Sequence, residues 1–293
     1  MGQAGVGKSR GGAVEGRDET VHGPAPGRLS QPQRLVIKAG RRLTADLRRW
    51  PDFIIIGAQR AGTTSLFDWL VQHPRVGAPR SKEVHYFDIK YGATERWYRS
   101  NFPLRRSGRM TGEASPYMLF HPLAPERAAR DLPPTTKFIV LLREPVQRAI
   151  SAYWLNRQER TEQKSLPDAI EAEALRLAGQ DELVRRGERS KRHQFYSYVA
   201  RGRYAEQLQR WYSHVDRDRL LVVTSEDLFS SPATAAQILA WLDLPAFDRP
   251  FPQSNAAPRL ADADADVAAA LRRQFETSNR ELEELLGRQL WGS

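Results

Sequence analysis

The chain has 293 residues, 40% of them hydrophobic, enough for one large α/β core or two small domains. It contains no cysteine, which excludes disulfides, thiolate nucleophiles and cysteine-ligated metals, and no apolar run approaches the ~20 residues a membrane helix needs. The formal net charge of +10 admits nucleic acid, a membrane surface or anionic small molecules as partners, but the charges are scattered and form no aromatic–basic ladder, which argues against nucleic acid.

The N-terminus carries no apolar h-region, so no secretory signal is expected and a cytoplasmic protein is the default. Residues 1–50 are rich in Gly, Arg, Pro and Gln, and read as a disordered stretch (1–32) followed by a basic lead-in (33–50) with helical character. Gly2–Ser9, GQAGVGKS, satisfies the spacing of a nucleotide-binding P-loop. That loop needs a strand before it and an apolar helix after it, and neither is present, so the match is read as fortuitous.

The run Phe53–Ile56 is apolar throughout and mostly β-branched, the pattern of a strand buried on both faces. It runs into a small-residue loop, Gly57–Thr64, and then into a helix with Leu66, Trp69 and Leu70 on one stripe, closing at His73 before Pro74. Strand, glycine loop and helix present unpaired backbone N–H groups and the positive end of a helix to an anion. Gly57 and Gly62 keep the P-loop spacing, but Thr63 stands where that loop has lysine, and Arg60 lies inside the loop. The amides of Ala61, Gly62, Thr63 and Thr64 are expected to cradle a phosphate, with the two threonine hydroxyls as further donors.

Further along, residues 91–110 read as helix and loop around Trp97, Tyr98 and Phe102, and Gly112–Phe120 as a short strand or turn. A helix is expected near Pro125–Arg130. Lys137–Leu142 is a second buried strand, ending at Arg143, with Pro145 suited to the first turn of a helix. Residues 166–187 read as one helix, 188–203 as a basic loop, and Tyr204, Leu208 and Trp211 as the face of an amphipathic helix. Leu220–Val223 is a third buried strand, followed by a polar strand end at Ser225–Asp227, a helix from Ser231–Pro232 to Leu242, a proline-rich loop over 245–258, and a last helix over about 266–286 stopped by Gly287. Alternating strands and helices predict a parallel sheet flanked by helices, in a single domain over 51–293.

Two constellations carry chemistry. The loop at Gly57–Thr64 is one. The other is Arg143 with Ser151: a guanidinium at the carboxyl end of a strand, where open α/β sheets bind ligands, and a hydroxyl about two turns into the next helix, suited to a second phosphate. The histidines show no metal-ligand spacing, and no metal is expected.

The ordered set GAQRAGTTSL, SKEVHYFD, GEASPY, LREPVQRAISAYW, YAEQLQRW and ELLGR resembles the sulfotransferases that use 3′-phosphoadenosine-5′-phosphosulfate, above all the heparan sulfate glucosaminyl-type enzymes and their bacterial relatives. The likeness runs from about Pro51 to the end of the chain. It implies a P-loop-like α/β fold and transfer of a sulfuryl group to a hydroxyl, or alternatively an amine, of a carbohydrate or small-molecule acceptor, leaving 3′-phosphoadenosine-5′-phosphate. It implies that Arg60 replaces the family's loop lysine at the 5′-phosphate and leaving oxygen, and that Ala61, Gly62, Thr63 and Thr64 hold the phosphosulfate end. Arg143 and Ser151 match the 3′-phosphate pair. Glu83 matches the general base, and Lys82, His85 and Tyr117 would contact the acceptor. Where the heparan enzymes have a lysine in a Glu-Lys-Thr-Pro motif, this chain has Ala114, and Asn255–Arg259 matches only weakly the segment that closes over the nucleotide. Two other functions fit parts of the pattern: a P-loop kinase or NTPase, disfavoured by Thr63 at the lysine position, and a non-catalytic binder of anionic glycans. The acceptor's identity and the oligomeric state are left open by the sequence.

Overall fold

The computed structural model describes residues 31–105, 108–252 and 265–291, with the side chains described from residue 36 onward. The Gly2–Ser9 motif, the disorder expected over most of 1–32 and the Asn255–Arg259 segment lie outside the described residues. The chain divides into two units, Met1–Ala39 and Gly40–Ser293. A helix, Gln31–Leu43, occupies most of the expected basic lead-in.

The larger unit is organised on a four-stranded sheet, all parallel, in the order β2-β1-β3-β4. The strands are β1 (Phe53–Gly57), β2 (Gly112–Ala114), β3 (Lys137–Leu142) and β4 (Leu220–Thr224). β1 is buried at every position, as its unbroken apolar run requires, because helices cover both faces. Phe53 pairs with Gly112 on one side and Lys137 on the other. The chain leaves β1 for β2 in one direction and returns to β3 in the other, so the order reverses between β1 and β3. A crevice opens at the carboxyl ends of strands at such a switch point. The loops carrying Arg60 and Arg143 leave from these two strands.

The helices around this edge follow from local sequence. Thr63–Leu70 starts after Gly62 and buries Leu66, Trp69 and Leu70; it ends one turn earlier than Pro74 alone would dictate, and Gln72 and His73 finish it in tight turns. Pro145–Gln158 begins with proline in its first turn, and the Glu144 side chain caps the amides of Val146 and Gln147. Tyr204–Tyr212 buries Tyr204, Leu208 and Trp211 completely, with the Trp211 ring 5.2 Å from that of Phe138 on β3. Ala265–Leu286 closes the unit and stops at Gly287, whose φ is +65°.

Three expectations are corrected. Residues 166–187 form three short helices, Leu166–Glu171, Glu173–Leu177 and Gln180–Arg185, not one. Gly179 breaks the run with φ +70°, and Glu173 turns inward to accept from the amides of Val199 and Ala200. The basic stretch 188–203 is not loop throughout: it contains the helix Lys191–Phe195 and buries His193 and Arg201. Ser225–Asp227 opens a further helix, Ser225–Ser230, capped by Thr224.

Candidate active site

The loop after β1 is shaped by two glycines. A Cβ on Gly57 would meet Leu119 Cβ at 2.6 Å, and one on Gly62 would meet the Phe229 ring at 2.7 Å. Gly62 also has φ +90°, a left-handed geometry that glycine adopts freely. Arg60 has φ +72°, uncommon for a side-chain-bearing residue, so the loop holds it out of the regular path of the chain. The amides of Gly62, Thr63 and Thr64 stand at the start of the helix, where the first N–H groups have no intrahelical partner. The Ala61 amide closes a turn on the Ala58 carbonyl at 3.2 Å. Ser225 Oγ fixes the loop from below by donating to the Ala61 carbonyl at 2.5 Å.

Arg60, Thr63, Thr64, Glu83, His85 and Tyr117 line one cavity of about 310 Å³. Lys82 joins the loop to this wall, since its Nζ lies 2.5 Å from Thr64 Oγ1 and 3.0 Å from Glu83 Oε1. Arg143 and Ser151 do not line it; both are buried beneath the loop. They are nonetheless bonded to it. Arg60 Nε donates to Ser151 Oγ at 2.9 Å, and Arg143 donates to the Arg60 carbonyl at 3.0 Å. Residues separated by about ninety positions thus meet at a single arginine. Burial lowers the pKa of both guanidiniums, and neither loses its charge at neutral pH.

On the opposite wall three charged groups form a chain. His85 Nε2 lies 2.9 Å from Glu83 Oε2, and His85 Nδ1 lies 2.9 Å from Asp88 Oδ2. Burial alone would push the imidazole down, but hydrogen bonds to Asp88 and Glu83 outweigh it and raise His85 to about 9. Burial alone would likewise raise Glu83, but the bonds from His85 and Lys82 hold it below its ordinary value. At neutral pH the His85 imidazolium therefore faces an ionised Glu83. The backbone between these two residues is pinned by Glu113, a fully buried carboxylate on β2 that accepts from the Val84 amide (3.0 Å), Ser115 Oγ (2.6 Å) and Tyr98 OH (2.6 Å). Ser115 Oγ in turn accepts from the His85 amide at 3.1 Å.

Tyr117 is held by its hydroxyl, 2.6 Å from His193 Nδ1. Burial beside Arg201 lowers His193 to about 4, and burial raises Tyr117, so both are neutral at pH 7. His193 Nε2 lies 3.7 Å from Asp181, which favours a proton on Nε2 and a Tyr117 hydroxyl that donates to Nδ1.

Sequence reasoning missed Asp88, Glu113, His193 and Arg201. Asp88 stands in the quoted SKEVHYFD stretch three residues after His85, and Glu113 is a charged residue inside a β-strand, a signal that it is buried and bonded. His193 and Arg201 carry no spacing signal. Ala114 is wholly buried in β2 and brings no charge to the site.

A parallel sheet with a glycine turn at its switch point and a carboxylate-flanked imidazole lining the same cavity as Arg60, Thr63 and Thr64 place a charged site at the carboxyl edge of the sheet. A family model described as a sulfotransferase domain matches residues 50–249, and the chain belongs to that family of transferases. Heparan sulfate glucosamine 3-O-sulfotransferase 3A1 from Homo sapiens is 32% identical over 231 residues, covering 78% of this chain and 50% of that protein. The bifunctional heparan sulfate N-deacetylase/N-sulfotransferase 1 of Caenorhabditis elegans is 33% identical over 204 residues, covering 67% of this chain and 22% of that protein. The chain thus spans half or less of the length of these two relatives. The crystal structure of a sulfotransferase from Alicyclobacillus acidocaldarius superimposes with a TM-score of 0.66 at 27% identity, over 83% of this chain and 98% of that one. Among the described residues no helix is long and apolar enough to cross a membrane.

Proposed function

We propose that the protein transfers a sulfuryl group from 3′-phosphoadenosine-5′-phosphosulfate to a hydroxyl of a carbohydrate acceptor, with Glu83 as the general base. The observation that carries this reading is that Glu83 and His85 line the same cavity as Arg60, Thr63 and Thr64, so that a carboxylate faces the anion-binding turn across a space of about 310 Å³. The carbohydrate acceptor is supported by the glucosamine sulfotransferases among the relatives, and a hydroxyl by the larger share of this chain matched by the 3-O-type enzyme.

In this reading the turn amides of Gly62, Thr63 and Thr64 and the Arg60 guanidinium hold the phosphosulfate end of the donor. Arg143 and Ser151, already bonded to Arg60, take the 3′-phosphate. The acceptor oxygen attacks sulfur in line and its proton passes to Glu83. The bond from sulfur to the bridging oxygen breaks, and that oxygen leaves on the 5′-phosphate of 3′-phosphoadenosine-5′-phosphate. A carboxylate held below its usual pKa by His85 and Lys82 is a weak base. It accepts the proton as the acceptor oxygen bonds to sulfur and turns acidic, while Arg60 stabilises charge building on the leaving oxygen.

The test is mass spectrometry of glycan and small hydroxylated acceptors incubated with enzyme and donor. A mass gain of one sulfuryl group, surviving EDTA, is expected. No gain across hydroxyl acceptors, or gain only on amines, overturns the reading, and activity abolished by EDTA points to a P-loop NTPase or kinase instead.

A further inference from the structure

Arg201 is a buried cation that no predicted role absorbs. It is 4% exposed, and no carboxylate forms a salt bridge with it among the described residues. Its NH1 donates to Gln59 Oε1 and its NH2 to the Gln194 carbonyl, both neutral acceptors. Nε has no partner among the described residues. The guanidinium lies 4.8 Å from the Tyr117 ring centroid and 5.4 Å from that of Phe120. The nearest acidic influences come from Asp88 and Glu173, both already occupied: Asp88 by His85 and the Ile89 amide, Glu173 by the Val199 and Ala200 amides. Burial lowers its pKa only to about 10, so it stays charged at neutral pH. A dehydrated charge without an ion-pair partner is costly, and among the described residues no carboxylate is bonded to it.

Its position indicates which anion offsets that charge. Arg201 lines the cavity that Glu83 and His85 also line. Its partner Gln59 immediately precedes Arg60 in the anion-binding turn. Its other neighbours, Tyr117 and Gln194, also border a second cavity of about 260 Å³ formed with Asp88, Tyr91, Arg127 and Arg189. Arg143 and Ser151, by contrast, lie beneath the turn and outside the cavity. Arg201 therefore shares the cavity with Glu83 and Arg60, whereas Arg143 and Ser151 do not line it.

We infer that Arg201 binds the sulfuryl group itself, donating to its non-bridging oxygens between the anion-binding turn and Glu83. This rests on the proposed sulfotransferase reading and adds to it a cation that recognises the group being moved rather than the nucleotide that carries it. A planar fork of donors suits a tetrahedral oxyanion, and it would remain in contact while the group passes from donor to acceptor.

The two nucleotides differ by the sulfuryl group alone, which makes the test direct. Isothermal titration of the wild-type protein and of Arg201→Met with 3′-phosphoadenosine-5′-phosphosulfate and with 3′-phosphoadenosine-5′-phosphate should show about 10- to 100-fold weaker binding of the first and under about 3-fold change for the second. Arg201→Lys should fall between wild type and Arg201→Met. Parallel weakening of both nucleotides, or of neither, overturns the inference. Should Arg201→Met lack a cooperative thermal transition, the same ratio is read on Arg201→Lys; if neither variant folds, Arg201 is structural and the inference fails. Wild-type protein that binds neither nucleotide defeats the sulfotransferase reading itself, a result distinct from an unchanged ratio.

Discussion

The two walls of the cavity are built in different ways. The turn wall is local: a strand, a turn with two sterically required glycines, and a helix, all within Phe53–Leu70, tied from behind by Arg143 and Ser151. The acceptor wall is assembled from distant side chains. Glu83 and His85 come from an irregular segment held by Glu113 on β2, Tyr117 is held by His193, and Arg201 bonds back to Gln59. A site of the first kind depends on a few backbone positions; a site of the second kind depends on every member of a polar network. The contrast predicts that changes to the turn-wall side chains alter nucleotide binding with little loss of stability, whereas acceptor-wall changes couple chemistry to folding.

Among turn-wall changes, the largest effect should follow loss of the loop cation. Arg60→Ala removes the charge beside the leaving oxygen, and steady-state rates should show kcat/KM falling about 10²- to 10³-fold with thermal stability close to wild type. A variant that melts early would put Arg60 on the structural side of the comparison. Arg143→Ala should act on binding: titration with 3′-phosphoadenosine-5′-phosphate should show about 10- to 100-fold weaker affinity, with kcat at saturating donor changed much less. Unchanged nucleotide affinity would reject the 3′-phosphate assignment. On the other wall, Glu113→Ala strands the Val84 amide, Ser115 and Tyr98 inside the core, and denaturant unfolding should report a loss of about 3 kcal/mol or more together with lost turnover. A stable but inactive variant would mean that Glu113 orients the segment without supporting the fold.

The smallest and most selective effect is on pH. Folding raises His85 from its ordinary 6.5 to about 9, so its contribution to stability is present in full below pH 6.5 and is lost as pH rises through about 9. The imidazolium also orients the Glu83 carboxylate, so kcat/KM should hold a plateau through neutral pH and decline above about 9. A rate that instead climbs through pH 6 to 7 would identify neutral imidazole as the base and reverse the roles of His85 and Glu83.

How far the sequence could be read follows the same division. The three long strands were legible because Phe53–Ile56, Phe138–Leu142 and Leu220–Val223 are unbroken apolar runs, which only a sheet covered on both faces requires. The donor loop was legible because its glycines and its helix are contiguous with β1. The helix expected over 166–187 was misread because periodicity does not register the left-handed Gly179 or the inward Glu173. The same blindness hid Arg201: in a stretch where most arginines are solvated, nothing in the string distinguishes the one that folds inward against Tyr117. Loop spacing alone does not reveal the turn that the Ala61 amide closes on Ala58.

The central claim is that Glu83 takes the acceptor's proton and has no part in gripping the nucleotide. Glu83→Gln, isosteric and uncharged, separates the two in one preparation assayed both for mass gain on the acceptor and for calorimetric binding of 3′-phosphoadenosine-5′-phosphate. Turnover should drop about 10²- to 10⁴-fold while the nucleotide affinity stays within about 3-fold of wild type. Turnover equal to wild type, or nucleotide binding lost together with turnover, would contradict it.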